Sequence, residues 1–296
     1  MKNDSTYDVN ALTLKEQGAL KEKEKAGQVL ATPQGGALAP IENPTFNLPI
    51  LSDPQGSLEV IQENMEDLDR EYKFEKITVP GSGGIAFTVI DENGNAVPMT
   101  KITGIILDKF SFSAWYIKSF DEKTDEDTGI PDCLSTDLVH GSGCPDVGIP
   151  ENQLCASCPK GQWGSQRKGG RGKDCSNKIR VHILRENRMF PFFIDLPPSS
   201  IGKFGDHVQR LADNGFSYYA AVTTMGIETA TNDAGTKYSK ATFNKSASLT
   251  KEEKAAIKGF IRQLMPSMRK VTEESFQEIK PVEGSGVDSK DEDNPY

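Results

Sequence analysis

The chain has 296 residues and a formal net charge of −9, with 36% hydrophobic and 26% charged residues and a mean hydropathy of −0.50. That length can bury a core in one large domain or two small ones, while so low a hydropathy predicts that part of the chain stays outside any fold. No apolar run approaches a membrane span, and the opening MKNDSTYDVN lacks the apolar stretch of a secretory signal, so the expected location is the cytoplasm.

Residues 1–68 read as a flexible arm. Ala11 to Leu30 has helix-forming residues, but its apolar stripe is weak and broken by Gly18 and Gly27, and a Pro/Gly/Asn-rich run from Thr32 to Gly56 follows. Ser57 to Tyr72 is a better helix, with Ser57 as a possible cap and Leu58, Ile61, Met65 and Leu68 at helical spacing.

The folded body is expected over residues 69–272. Phe74 to Val79 begins a strand, Gly81 to Gly84 turns it, and Ile85 to Ile90 returns before the turn Asp91–Asn95. Ile102 to Ser119 reads as one long strand or two joined by a bulge. Phe110 and Phe112 share parity but Trp115 does not, and a bulge near Ser113 would bring them to one face. Further on, Ile179 to Leu184 and Met189 to Leu196 alternate around an Asn187–Arg188 turn. A helix over Ile201–Asp213 follows, capped by Ser199 or Ser200 and ended by Asn214–Gly215. Strands at Ser217–Thr229 and Lys237–Lys245 precede a last helix. That helix begins after Ser248 or Thr250, points Ala255, Ile257, Phe260, Ile261 and Leu264 inward, and stops before Pro266. Residues 273–296 read as a disordered acidic tail. The fold class is mainly β with a few helices (α+β), best accommodated by a small, elaborated antiparallel barrel.

The chemistry concentrates between Cys133 and Arg185. In a reducing compartment five clustered cysteines favour a metal over disulfides. Cys155 and Cys158 form a Cys-x2-Cys pair able to place two thiolates about 4 Å apart on a tetrahedral ion, and Cys175 supplies a third ligand. Cys133, in a Pro-Asp-Cys turn, is the preferred fourth, with Cys144 and His140 as competitors. The expected cofactor is structural zinc, held by an insertion over about residues 130–178.

The same stretch is basic within an acidic protein. From Lys160 to Arg185 it carries Lys160, Arg167, Lys168, Arg171, Lys173, Lys178, Arg180 and Arg185 against one acid, Asp174. The run QRKGGRGK is not a Walker loop, because Gly172–Lys173 is followed by Asp174–Cys175 rather than Ser or Thr opening a helix. His140, His182 and His207 are scattered, and the closed four-cysteine set leaves no open metal position, so no enzymatic activity is expected. Cations interleaved with aromatic rings suit single-stranded nucleic acid, whose phosphates and bases they would meet separately. The candidate stacking rings are Trp163, in the basic loop, and Trp115 or Tyr116, of which strand alternation exposes one. The alternation argument also exposes one of Tyr218 and Tyr219.

The segments KITVPGSGGIAFTV, ITGIIL with AWY, PDCLSTD, CASCPKGQWGS, GGRGKDC, IDLPPSSIGKF and TTMGIET with YSKATF occur in an order that resembles a family of phage and mobile-element single-stranded DNA-binding proteins. The resemblance covers roughly Phe74 to Asn244. It implies an OB-like core, a role in replication and recombination, and a cysteine cluster at Cys133, Cys155, Cys158 and Cys175, with Cys144 surplus. The tip Asp291–Glu292–Asp293–Asn294–Pro295–Tyr296 is similar to the one with which bacterial single-stranded DNA-binding proteins recruit partners, an aromatic anchor beside a terminal carboxylate. A zinc-stabilised adaptor that binds a replication protein and no DNA is the rival expectation.

Overall fold

In the computed structural model, residues 47–276 are described apart from 67–72, 82, 92, 119–121, 123, 125–128, 168–170 and 233–234. The arm up to residue 46, Lys168 and the tail tip at Asp291–Tyr296 therefore lie outside the described residues.

The architecture is mixed α+β and mainly sheet, with four α-helices among the described residues and a sheet curled as a half-barrel. Its strands are β1 (Lys76–Ile77), β4 (Lys101–Trp115), β5 (Cys133–Ser135), β8 (Ser176–Arg185), β9 (Phe192–Leu196), β10 (Ala221–Thr231) and β11 (Lys237–Ser248). They run in the order β1-β9-β8-β4-β10-β11, with β5 added beside the end of β4. Only β1 is parallel to its neighbour. No ladder joins the outer edges β1 and β11 among the described residues. A separate hairpin, β2 (Phe87–Ile90) and β3 (Ala96–Met99), turns where Asp91 Oδ1 accepts from the Asn93 and Asn95 amides, each at 2.8 Å.

Both faces of the sheet centre are covered, which is why β4 and β8 are apolar on both parities. Ile102, Ile106, Val181, Ile183 and Ile194 pack on one face against the β2–β3 hairpin and Phe204 of helix α3 (Pro198–Asp213). Ile105, Leu107, Leu184 and Val222 pack on the other, against α1 (Pro49–Ser52), α2 (Pro54–Met65) and α4 (Lys251–Arg269). Leu48, Ile50 and Ile61 are buried there, so residues 47–66, read from sequence as part of the flexible arm, belong to this packed layer.

The long strand does contain a bulge, but at Leu107, where the pairing with β8 shifts between Ile106 and Asp108. One extra residue reverses the facing of everything after it. Phe110 and Phe112 consequently stay opposite Trp115, and both faces are again covered. Phe112 packs on Phe276, whereas Trp115 packs on the cysteine-bearing segment. Phe276 is buried, so the segment 273–276 that reads as tail contributes a core side chain.

Three local expectations change. Helix α3 starts at Pro198 with no side-chain cap, and Ser200 is buried with its Oγ accepting from the Ala241 amide at 2.9 Å. Tyr218 and Tyr219 lie in a 3-10 turn and meet edge to face at 5.4 Å, so strand alternation does not apply to them. Helix α4 is closed at its start by the Thr250–Glu253 capping box but continues through Pro266 to Arg269, with Ala255 exposed and Met268 buried. No helix among the described residues is long and apolar enough to cross a membrane.

Candidate metal centre and nucleic-acid interface

The cysteine-bearing segment grows from the end of β4. Strand β5 pairs with it so that Cys133 stands opposite Trp115, and the small hairpin β6 (His140–Gly141) and β7 (Gln153–Leu154) follows. The Val139 carbonyl accepts from the Cys155 amide at 2.9 Å, which brings the Cys-x2-Cys turn back beside β6. The Cys158 amide donates to the Cys155 carbonyl and the Gly161 amide to the Cys158 carbonyl, giving two successive tight turns.

Cys133, Cys155, Cys158 and Cys175 all line one pocket of about 190 Å³, together with Trp115, Ser113 and Asn177. Two glycines make room for them: a Cβ at Gly141 would stand 2.9 Å from Cys133 Sγ, and one at Gly161 would stand 2.9 Å from the Cys155 carbonyl oxygen. Burial, with negative charge on Cys133, Cys155 and Cys158 adding to it, pushes the Cys175 thiol up to about 12. All five cysteines are free thiols. Cys144 packs against the same cluster without lining the pocket, and burial raises its thiol pKa, with the charges of Asp132 and Asp146 adding to the rise. His140, the other competitor, is not in the lining either. It is exposed, and its Nδ1 lies 3.2 Å from Asp137 Oδ2. As placed, no set of three or more His, Cys, Asp or Glu side chains among the described residues is arranged to hold a metal ion. The donor set itself, four thiols around one pocket, is the chemistry that suits a tetrahedral zinc site.

The described parts of the basic stretch, 159–167 and 171–175, form a finger, and its single acid holds it. Asp174 is nearly buried; its Oδ2 accepts from the Trp115 indole N–H at 2.8 Å and lies 3.4 Å from Lys160 Nζ, while Oδ1 lies 2.9 Å from Arg167 Nε. Arg167 also donates from its two terminal nitrogens to the Tyr116 and Ile117 carbonyls. The Cys175 amide donates to the Lys160 carbonyl at 2.8 Å, and the Gly164 amide to the Gly172 carbonyl at 2.9 Å, closing the finger across its base and middle.

This geometry sorts the candidate DNA contacts. Trp115 is 3% exposed, with Lys160 and Arg167 placed over its ring at 5.0 and 5.6 Å, so it cannot stack on a base. Arg180 is 2% exposed: its Nε donates to Asp195 Oδ1 at 2.7 Å, its Nη2 to Oδ2 at 2.9 Å, and Phe112, Phe193 and Phe276 surround it. Its place in the basic stretch puts Arg180 among the expected phosphate contacts, but the second face of β8 is covered and buries it. Arg167 is bound in the finger's own frame, and Lys160 shares Asp174 with it. Trp163 remains, 79% exposed at the finger's turn with Lys173 Nζ 5.5 Å from its ring centre. Arg171 is exposed and Lys173 half-buried, and Lys178 Nζ stands 5.4 Å from the half-buried Tyr116 ring.

One group of residues escaped the sequence reading. Leu138, Val139, Val147 and Leu154 are exposed apolar side chains within the cysteine-bearing segment, and their scattered spacing gives no periodic signal. His182 and His207 are buried, the first beside Phe74, Phe110 and Phe193 and the second hydrogen-bonded to Thr223 Oγ1 at 3.1 Å.

No family model, curated protein or solved structure matches the chain.

Proposed function

We propose that the protein binds single-stranded DNA without sequence preference, in phage or mobile-element replication and recombination. The observation that carries this reading is Trp163: a tryptophan 79% exposed on a finger tied down by Asp174, with Lys173 over its ring and Arg171 nearby in sequence. An indole held in water serves no fold, whereas stacking on an unpaired base contributes about 1–3 kcal/mol. Cys133, Cys155, Cys158 and Cys175 would hold a structural zinc that fixes the finger's base to the sheet. An OB-like ancestry of the curled sheet, and recruitment of replication partners by Asp291–Tyr296, belong to the same reading.

The test is oligo-dT binding by zinc-replete protein, followed through tryptophan emission. Trp163 is the exposed member of the two tryptophans, so its emission should be quenched on binding, and log affinity should fall linearly with log salt. Joint substitution of Arg171 and Lys173 by Ala should reduce that slope by about 1–2. Absent or salt-insensitive binding would remove the proposal and favour an adaptor that binds protein alone, whereas unchanged affinity and slope after these substitutions would take Arg171 and Lys173 out of the DNA contact.

A further inference from the structure

Leu138 is the one described residue outside glycine and asparagine with positive φ, at +62°. Left-handed backbone crowds the Cβ of an L-residue, and asparagine tolerates it far better than leucine does. The side chain is also 40% exposed, so the strained position is not offset by full burial. The conformation is imposed by Asp137, whose Oδ1 accepts from the Val139 amide at 2.7 Å, the His140 amide at 2.8 Å and Ser135 Oγ at 3.0 Å. The turn thus holds an isobutyl group out at the mouth of the cysteine pocket, with Val139 and Leu154 exposed in the same hairpin. Strain held in place by the hydrogen bonds to Asp137 points to a contact made with something outside the fold.

The pocket that Leu138 lines is also lined by Lys160 and Lys173, and Lys173 reaches over Trp163. Apolar surface and cations at one opening match a ligand that alternates flat apolar faces with anionic links, as unpaired polynucleotide does. Lys160 already has Asp174 as its counterpart, but a purely apolar partner segment would offer Lys173 no anion. We infer that Leu138 is a base-contacting tip, forming with Trp163 the two apolar sides of a clamp whose phosphates are met by Lys173 and Arg171. This rests on the single-stranded DNA reading and adds to it a second contact that the basic finger does not supply.

Leu138→Gly and Leu138→Asn remove the isobutyl group while suiting the backbone better, so both variants should melt at or above the parent temperature. Their affinity for oligo-dT should be about fivefold weaker, with the salt slope unchanged because no phosphate contact is lost. On an abasic oligonucleotide of equal length, the parent itself should bind more weakly and the two variants should match it. Parent-like affinity of both variants for oligo-dT overturns the tip and leaves the DNA reading standing. A loss of equal size on the abasic strand overturns it too, since the side chain would then meet no base. A lowered melting temperature in both variants would show that the leucine serves the fold, with the same consequence. If the parent binds no oligo-dT at all, both the tip and the DNA reading fall.

Discussion

Asp174 shows how one side chain decides what its neighbours can do. Sequence composition counts it as the lone negative charge in a basic run, yet it binds the Trp115 indole and two of the run's cations. Asp174→Ala should therefore leave a buried indole N–H unpaired, take the carboxylate partner from Arg167, and destabilise the protein by about 2–3 kcal/mol. Denaturant unfolding in a Trp163→Phe background, where Trp115 is the sole emitter, would measure it; a loss below about 0.5 kcal/mol would mean the network adds no stability. His182 offers a second test. Burial, followed by the charges of Arg180 and Arg269, pushes its pKa down to about 3, and its Nδ1 has no hydrogen-bond partner. An unfolded histidine takes up its proton near pH 6.5, so below that pH the unfolded chain binds the extra proton and stability falls as pH falls, by about 1.4 kcal/mol per unit until pH approaches about 3. Going from pH 7 to 5 should cost about 2 kcal/mol from this residue, and His182→Leu should flatten that part of the stability profile.

At the scale of elements, local chemistry was legible where it was self-contained. The Thr250–Glu253 box can be read directly from Thr-x-x-Glu, and both of its hydrogen bonds form, at 3.2 Å and 2.7 Å. Thr250→Ala should cost about 1 kcal/mol in urea unfolding, with an unchanged m-value. What the sequence hid depends on distant partners. Pro266 is expected to stop α4, at a cost of about 3 kcal/mol or more. The helix passes through it because the turn beyond is anchored twice: Met268 is buried, and Arg269 reaches the buried Asp108, its Nε 2.6 Å from Oδ2 and its Nη2 2.7 Å from Oδ1. The aromatic pattern of β4 misleads for a related reason. Phe112 and Trp115 need no common face when Phe276 covers one side and the cysteine-bearing segment the other. At the candidate site, local spacing was enough to pair Cys155 with Cys158, whereas the choice of Cys133 over Cys144 and His140 depends on how β5 pairs with β4, which spacing does not reveal. The fates of Trp115, Arg167 and Arg180 were illegible, because each is fixed by a carboxylate or carbonyl remote from it or by a face whose covering comes from far along the chain.

At the scale of the whole molecule, stability is unevenly distributed. The two large clusters flanking the sheet each bury a dozen or more residues, whereas the cluster beneath the cysteines has Trp115, Ile149 and Cys158 as its buried members. So small a core cannot hold residues 130–178 by hydrophobic burial alone, and small apolar modules of this kind depend on a metal or a covalent staple. With all five cysteines free, the proposed zinc is what would supply that restraint. Stripping it with a chelator, or replacing Cys155 and Cys158 by Ser, should therefore melt one part of the protein and spare the rest. The amides of Cys155, Gly161 and Cys175, which donate to Val139, Cys158 and Lys160, should lose their protection against hydrogen exchange. Those of Ile105 and Leu184, in the β4–β8 ladder, should keep theirs. Oligo-dT affinity should fall with the lost protection, since a loosened finger no longer holds Trp163 and its cations in one arrangement. Uniform loss of protection would mean that the cysteine-bearing segment and the sheet fold as one cooperative unit. Full retention without metal would show that Asp174 and the β4–β5 pairing suffice, and the zinc proposal would then have no physical task to explain.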